Sequence, residues 1–315
     1  MSSILSMFNM KQEQASGRYL QHSRLWPWLS GMTSIILVTA IWGYSNVVMR
    51  QGEGSIAPTV LMWMRFGVAG VLMLPALIRI RLSWKNWTIG LATGFLLGIS
   101  VLAQCWAMLS IPVDEVAFIT ALYVVFTPLA MAIIQRTSPS MRMWMAILLS
   151  FIGVALLIGK LTLNLHVGAF WALVAAIGLS GQIIFTTYLA NTLSSIKLAS
   201  LQSVGAGLTL TAAVLVQGYF QPSVYHGLFH WTATEWYFIG FLAVMGTVVA
   251  VFMQAFGQAR ISATDAALAF NMEPVWTVVF AWAILRQGMS VVQAVGAVLI
   301  VSSLMIVSTP KKGVQ

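Results

Sequence analysis

Glu273 is the only acidic side chain that lies well inside a long apolar run of this 315-residue sequence. A carboxylate in hydrocarbon is costly unless it is neutralised, paired or facing water, so such residues usually mark ion or substrate pathways. Its chemistry suits proton transfer or the recognition of a cationic ammonium group. The alternative is structural: Pro274 lacks a backbone N–H and frees a carbonyl one turn earlier, and Glu273 could fix the backbone beside it.

Further polar or aromatic residues within apolar runs are candidates for substrate contact, and they are Trp42, Asn46, Gln104, Tyr123, Gln182, Gln254 and Asn271. Asn271 could orient a zwitterion or bond to a neighbouring helix. The glutamines and Asn46 could line a cavity or join helices by hydrogen bonds, and Trp42 could stack on a ligand or simply pack. For Arg65, near a helix end, we expect snorkelling to the headgroup layer rather than carboxylate binding.

These residues fall on ten apolar stretches, each long enough to cross a bilayer. Because 59% of the residues are hydrophobic and only 7% are charged, water cannot be the main solvent, and we predict an all-α polytopic membrane protein. A ridge of glycines on the third helix, Gly90, Gly94 and Gly98, predicts close helix packing. The predicted spans are 29–49, 58–80, 87–109, 114–135, 142–160, 168–190, 197–219, 236–258, 264–285 and 290–309.

The positive charges predict the orientation of the spans. With a cytoplasmic N-terminus, twelve of the 16 Lys and Arg residues fall on the cytoplasmic side and three on the other. We therefore expect cytosolic tails over 1–28 and 310–315, and a protein integral to the cytoplasmic membrane. The basic residues are scattered between apolar runs, so the net charge of +9 does not indicate nucleic-acid binding.

The sequence predicts neither a cofactor nor a metal site, because Cys105 is the single cysteine and the four histidines are scattered. Nothing resembles a nucleophile triad or a phosphate-binding loop, which argues against an enzyme. The expected partners are a small-molecule substrate and the lipid bilayer. No feature of the sequence calls for a second subunit, so a monomer is compatible with it.

An internal repeat is visible when the chain is shifted by 150 residues, which aligns the third to fifth helices with the eighth to tenth. The offset places Tyr123 at the position equivalent to Glu273. Because each half, 29–160 and 161–309, has five crossings, the second must run in the opposite direction, as in many secondary transporters. Identical pairs include two of rare residue types, Gln104 with Gln254 and Arg136 with Arg286.

Two segments resemble the paired signatures of the EamA-like drug/metabolite transporters. They are residues 116–128 (VAFITALYVVFTP) and 262–275 (SATDAALAFNMEPV), and Trp42-Gly43 also matches the family pattern. The resemblance implies ten transmembrane helices in two inverted halves around a central cavity, and export of amino acids, related metabolites or drugs. One departure is that Thr137 and Gln287 stand where relatives often carry Glu.

Two functions follow from these observations. The main hypothesis is a secondary transporter that exports small organic solutes by alternating access, with proton coupling through Glu273. The alternative is an uncoupled facilitator or channel-like pathway for small metabolites, which would not accumulate solute against its gradient.

Overall fold

A computed structural model describes residues 25–51, 56–78, 82–159, 167–225, 228 and 230–308. Residues 1–24 of the predicted N-terminal tail and all of the predicted C-terminal tail lie outside the described residues. Within the described ranges the chain is helical and contains no strand.

Ten apolar helices, here named α1 to α10, follow one another along the chain. The first five are α1 (Leu25–Gln51), α2 (Pro58–Ile78), α3 (Trp84–Met108), α4 (Val113–Thr120 and Tyr123–Gln135) and α5 (Met141–Ile158). The others are α6 (Val167–Ala190), α7 (Ser195–Phe220), α8 (Ala233–Ala243, Val244–Val249 and Ala250–Gln258), α9 (Ala263–Phe270 and Met272–Leu285) and α10 (Val291–Ser308). A short 3₁₀ helix, Pro222–Tyr225, follows α7.

The helices agree with the expectation of repeated membrane crossings. Nine of those in the described ranges are at least 18 residues long and apolar enough to cross a membrane, and the tenth is the shorter apolar helix Val291–Val307. Helices suit this environment because their backbone polar groups bond internally, where hydrocarbon offers no partner. The all-α polytopic prediction is therefore confirmed at the level of nine to ten spanning helices.

Local sequence signals set several helix ends. Ser83 and Ser140 cap α3 and α5, since each side-chain oxygen accepts a hydrogen bond from a backbone N–H three residues later. Thr232 and Glu235 form a reciprocal capping box at the start of α8. Arg136 and Arg286 end α4 and α9 in the left-handed conformation, both at a φ of 53°.

The glycine ridge of α3 packs against α7, as predicted. A Cβ added at Gly94 would lie 2.6 Å from the carbonyl oxygen of Gln202 and 2.7 Å from the Cα of Gly205. Only a residue without a Cβ allows two backbones to come this close. The same glycine device appears between α5 and α10, where Gly153 and Gly296 each approach the other's carbonyl oxygen.

Three helices depart from continuous α-helix near the middle of the chain's apolar runs. In α4 the interruption lies at Ala121 and Leu122, about two turns before Pro128, which lies inside the second segment. In α9 it lies at Asn271, the position equivalent to Ala121 under the 150-residue offset. In α8 a π-helical turn, Val244–Val249, replaces one α-helical turn, an irregularity that often accompanies functional sites.

Candidate functional site

Asn46 and Glu273 are brought together by the packing of α1 against α9. The Asn46 Nδ2 donates to the Oε1 of Glu273 at 3.0 Å and to the Oγ1 of Thr277 at 3.2 Å. The approach depends on Gly43, because a Cβ there would lie 2.6 Å from the Cβ of Trp276. The carboxylate is thus held by a neutral amide from another helix, one of the ways in which an intramembrane acid is tolerated.

Arg65 occupies a different place from the one that its position in the sequence predicts. Its side chain is only 9% exposed, and the expected snorkelling to the headgroup layer is wrong. The Nε donates to the Oγ1 of Thr247 at 2.8 Å, and the Nη2 donates to the carbonyl oxygen of Gly246 at 2.7 Å. Both acceptors belong to the π-helical turn of α8, which draws the guanidinium inward. There it interacts electrostatically with Glu273.

Trp42 meets the same turn of α8. Its Nε1 donates to the carbonyl oxygen of Gly246 at 3.0 Å, so this one oxygen accepts from both Trp42 and Arg65. The indole ring lies 5.6 Å from the ring of Phe270, at the last helical residue before the interruption of α9. Trp42 is half-buried, so its position joins α1, α8 and α9 while leaving part of the ring accessible.

Tyr123 begins the second segment of α4, in the same part of the bundle as Glu273. Both side chains are half-buried rather than fully enclosed, although they belong to the interior of the helix bundle. Aromatic rings also join α1 to α9, since Tyr44 packs edge-on against Phe280 and Trp276 stacks on the same ring. The group that we call the Glu273 cluster comprises Trp42, Asn46, Arg65, Tyr123, Glu273 and Thr277.

Asn271 lies beside the cluster in sequence but is directed toward α5. It is 1% exposed, and its Nδ2 donates to the Oγ of Ser150 at 2.8 Å. This is the bond to a neighbouring helix that we weighed against substrate contact. Its Oδ1 has no hydrogen-bond partner among the described residues.

Gln182 and Gln254 belong to a separate buried network between α6, α7 and α8. The Gln254 Nε2 donates to the Oε1 of Gln182 at 3.3 Å and to the Oε1 of Gln258 at 3.0 Å. Thr186 accepts from both Gln182 and Gln202. Both predicted residues are 2% exposed, so their amides join helices in this conformation. Gln104 is half-buried on α3, and its side chain makes no hydrogen bond with the described residues.

The described helices leave grooves on the surface of the bundle, and Glu273 does not line either of the two considered next. One, of about 470 Å³, lies between α1 and α8, and the other, of about 480 Å³, lies between α3 and α7. In the part of the chain that the structure describes, no three His, Cys, Asp or Glu residues are arranged to hold a metal ion.

Two members of the Glu273 cluster were missed by sequence reasoning as site residues. Thr277 carried a signal, because it is identical to Thr127 under the 150-residue offset, and Thr127 also bonds across helices, to the Oγ of Ser180 at 3.1 Å. Arg65 carried no comparable signal. Its hydrogen-bond partners lie in the π-helical turn of α8, and the apolar sequence of α8 does not predict such a turn.

Comparison with known proteins agrees with this architecture. A solved crystal structure of another protein matches with a TM-score of 0.72 at 19% sequence identity, covering 90% of this chain and 97% of that one. An uncharacterized transporter of Archaeoglobus fulgidus is 26% identical over 279 residues, which are 87% of this chain and 84% of the relative. The model of the EamA-like transporter family matches residues 29–159 and 166–309. The chain therefore belongs to the EamA-like transporter family and is an integral membrane protein with a transport function.

Proposed function

We propose that the protein is a secondary transporter that exports small organic solutes by alternating access, and that the Glu273 cluster binds the solute and couples its movement to protons. The observation that carries the proposal is a carboxylate inside the bundle, held by Asn46 across helices and within electrostatic reach of Arg65. The outward direction of transport rests on the family resemblance.

Alternating access requires two halves that can rock against each other. Contacts that recur at an offset of 150 residues support an inverted repeat of this kind. A Cβ at Gly168 of α6 would meet residues around the α3–α4 connection: Ala107, Ser110 and Ile111. A Cβ at Gly31 of α1 would meet the residues 150 positions later: Gly257, Arg260 and Ile261. These matching contacts support corresponding places for α1 and α6 in the two proposed halves, 29–160 and 161–309.

The direction of the helices supports inversion. Gly153 approaches Ile300 while Leu157 approaches Gly296, so α5 and α10 run antiparallel. These two helices are equivalent under the 150-residue offset. Equivalent helices that pack antiparallel are what two halves of opposite orientation produce.

The charges of the cluster favour a net-neutral, dipolar solute such as an amino acid. Arg65 and Glu273 carry opposite charges, so a zwitterion leaves no net charge in a low-dielectric site, whereas a lone cation or anion would. The ammonium group would approach Glu273 beside Trp42, which lies one helical turn before Asn46 and whose half-buried ring also favours a cation. The carboxylate would approach the guanidinium of Arg65, which offers donors in a planar fork.

Coupling follows if the Glu273 carboxylate accepts either a proton or the ammonium of the solute, but not both. Protonation from one side would release the solute, and loss of the proton to the other side would restore the binding form. The donor at Glu273, Asn46, is neutral, so the carboxylate keeps the freedom to exchange partners.

The test uses purified protein in proteoliposomes with an imposed pH difference. We expect the wild type to accumulate an amino acid against its gradient and to transport the corresponding decarboxylated amine or deaminated acid less well. Glu273→Gln is expected to abolish accumulation while the protein remains folded. Glu235→Gln, which changes a half-buried acid at the start of α8 and preserves the capping box, serves as the matched control.

Three outcomes separate the alternatives. Unchanged uphill transport in Glu273→Gln would reduce this carboxylate to a structural residue. If the wild type lets the solute equilibrate across the membrane but does not accumulate it under the imposed pH difference, the uncoupled facilitator is favoured. The absence of transport for amino acids, amines and drugs alike would contradict the transport of small organic solutes itself.

A further inference from the structure

The groove between α1 and α8 combines an apolar wall with a positive charge at one end. Its lining is mostly apolar, and the two helices are tied together at Ser34, whose Oγ donates to the carbonyl oxygen of Met253 at 2.8 Å. The apolar side chains that line it are Trp26, Leu29, Leu37, Phe252, Met253 and Phe256. With about 470 Å³ of open volume, the groove can take a stretch of hydrocarbon chain.

Arg260 lies just beyond the end of α8, beside this groove. Its guanidinium carbon is 3.5 Å from the centroid of the Phe256 ring, and its Nη1 donates to the Phe256 carbonyl oxygen at 2.7 Å. The contact holds the cation against a side chain of the groove wall. A Cβ at Gly31 would lie 2.7 Å from the Cβ of Arg260, so the end of α8 sits tightly against α1.

The charge of Arg260 is not balanced by a carboxylate of the described residues. Partial burial lowers the pKa of Arg260 from its ordinary value, with no acidic neighbour acting in the opposite direction. A partly desolvated cation gains from an anion that reaches its free N–H groups. Trp26, 80% exposed at the start of α1, marks the same end of the groove as a headgroup-level anchor.

We propose that this groove is a binding site for an anionic phospholipid, with an acyl chain along the apolar wall between α1 and α8 and the phosphate paired with Arg260. The apolar lining accounts for the chain, and the uncompensated guanidinium selects the headgroup. Basic pockets at helix ends are a recognised setting for anionic lipids. The site is distinct from the Glu273 cluster and does not depend on the solute that is transported.

Native mass spectrometry of the delipidated full-length protein tests the site, with equimolar phosphatidylglycerol and phosphatidylcholine of identical acyl chains. We expect the wild type to retain phosphatidylglycerol preferentially and Arg260→Gln to lower its binding about fivefold. Arg286→Gln, which removes an exposed cation at the end of α9, should keep the preference of the wild type. Thr33→Trp, which fills the groove, should lower retention of both lipids.

The thermal midpoint without lipid checks that each variant is folded. Arg260→Lys keeps the cation and should keep the preference, which provides a second measurement if Arg260→Gln folds poorly. The proposal is overturned if the wild type shows no preference for phosphatidylglycerol, if Arg260→Gln keeps it, or if Arg260→Lys loses it. Unchanged retention in Thr33→Trp would equally exclude the groove as the place of the acyl chain.

Discussion

The contact between α3 and α7 is expected to be sensitive to a single methyl group at Gly94. In Gly94→Ala the new Cβ would lie 2.6 Å from the Gln202 carbonyl oxygen, 2.7 Å from the Cα of Gly205 and 2.9 Å from the Leu201 carbonyl oxygen. All three are backbone atoms, so relief requires the helices to separate. Overpacking of this kind costs about 1–3 kcal/mol, against a gain of up to about 1 kcal/mol from the helix propensity of Ala. With the full propensity gain, the net expectation is a destabilisation of up to about 2 kcal/mol relative to the wild type, and of about 1–3 kcal/mol relative to a glycine-to-alanine change without the clash.

Gly240→Ala is the matched control, because nothing lies within 4 Å of a Cβ added at that exposed position of α8. The gain in helix propensity is then not opposed by a clash. The free energy of unfolding of this variant should therefore be equal to that of the wild type or higher by up to about 1 kcal/mol. The free energy of unfolding is measured for both variants by titration with SDS in mixed micelles. A Gly94→Ala variant as stable as Gly240→Ala would refute the close backbone approach of α3 and α7.

Two further substitutions test other parts of the bundle by the same unfolding titration. Gln254→Leu removes the donor to Gln182 and Gln258 and strands buried acceptors, so it should destabilise the protein by about 1–3 kcal/mol, whereas Gln104→Leu should have little effect. Equal effects would contradict the network. Arg286→Gly places glycine at a φ of 53° and should stabilise by roughly 0.5–1 kcal/mol. Arg142→Gly, in a right-handed helix, should instead lose stability, and a gain there would contradict the conformational explanation.

Much of the fold could be predicted because the bilayer imposes simple requirements on sequence. A spanning helix needs about 20 mostly apolar residues, and such runs are visible without tertiary information. The seventh predicted span, 197–219, lies within Ser195–Phe220, and the predicted fifth span agrees with Met141–Ile158 to within two residues. The interruption of α4 was not predicted at its place, because apolar sequence continues through Ala121 and Leu122. The interruption of α9 falls at Asn271, which the sequence marked as a candidate for substrate contact and not as a break in the helix.

The sequence by itself determined the membrane class, the apolar helices and the fact that Glu273 is the one acid well inside an apolar run. Each follows from the free-energy cost of placing polar or charged groups in hydrocarbon. Only the tertiary structure decided what each polar side chain meets. Gln104 and Gln254 are equivalent under the repeat offset, yet only Gln254 is tied into the glutamine network. Arg65 lies near a helix end, yet it turns inward because the π-helical turn of α8 offers it a carbonyl and a hydroxyl oxygen. A hydrogen bond depends on a partner far away in sequence, and that partner exists only once the helices have packed.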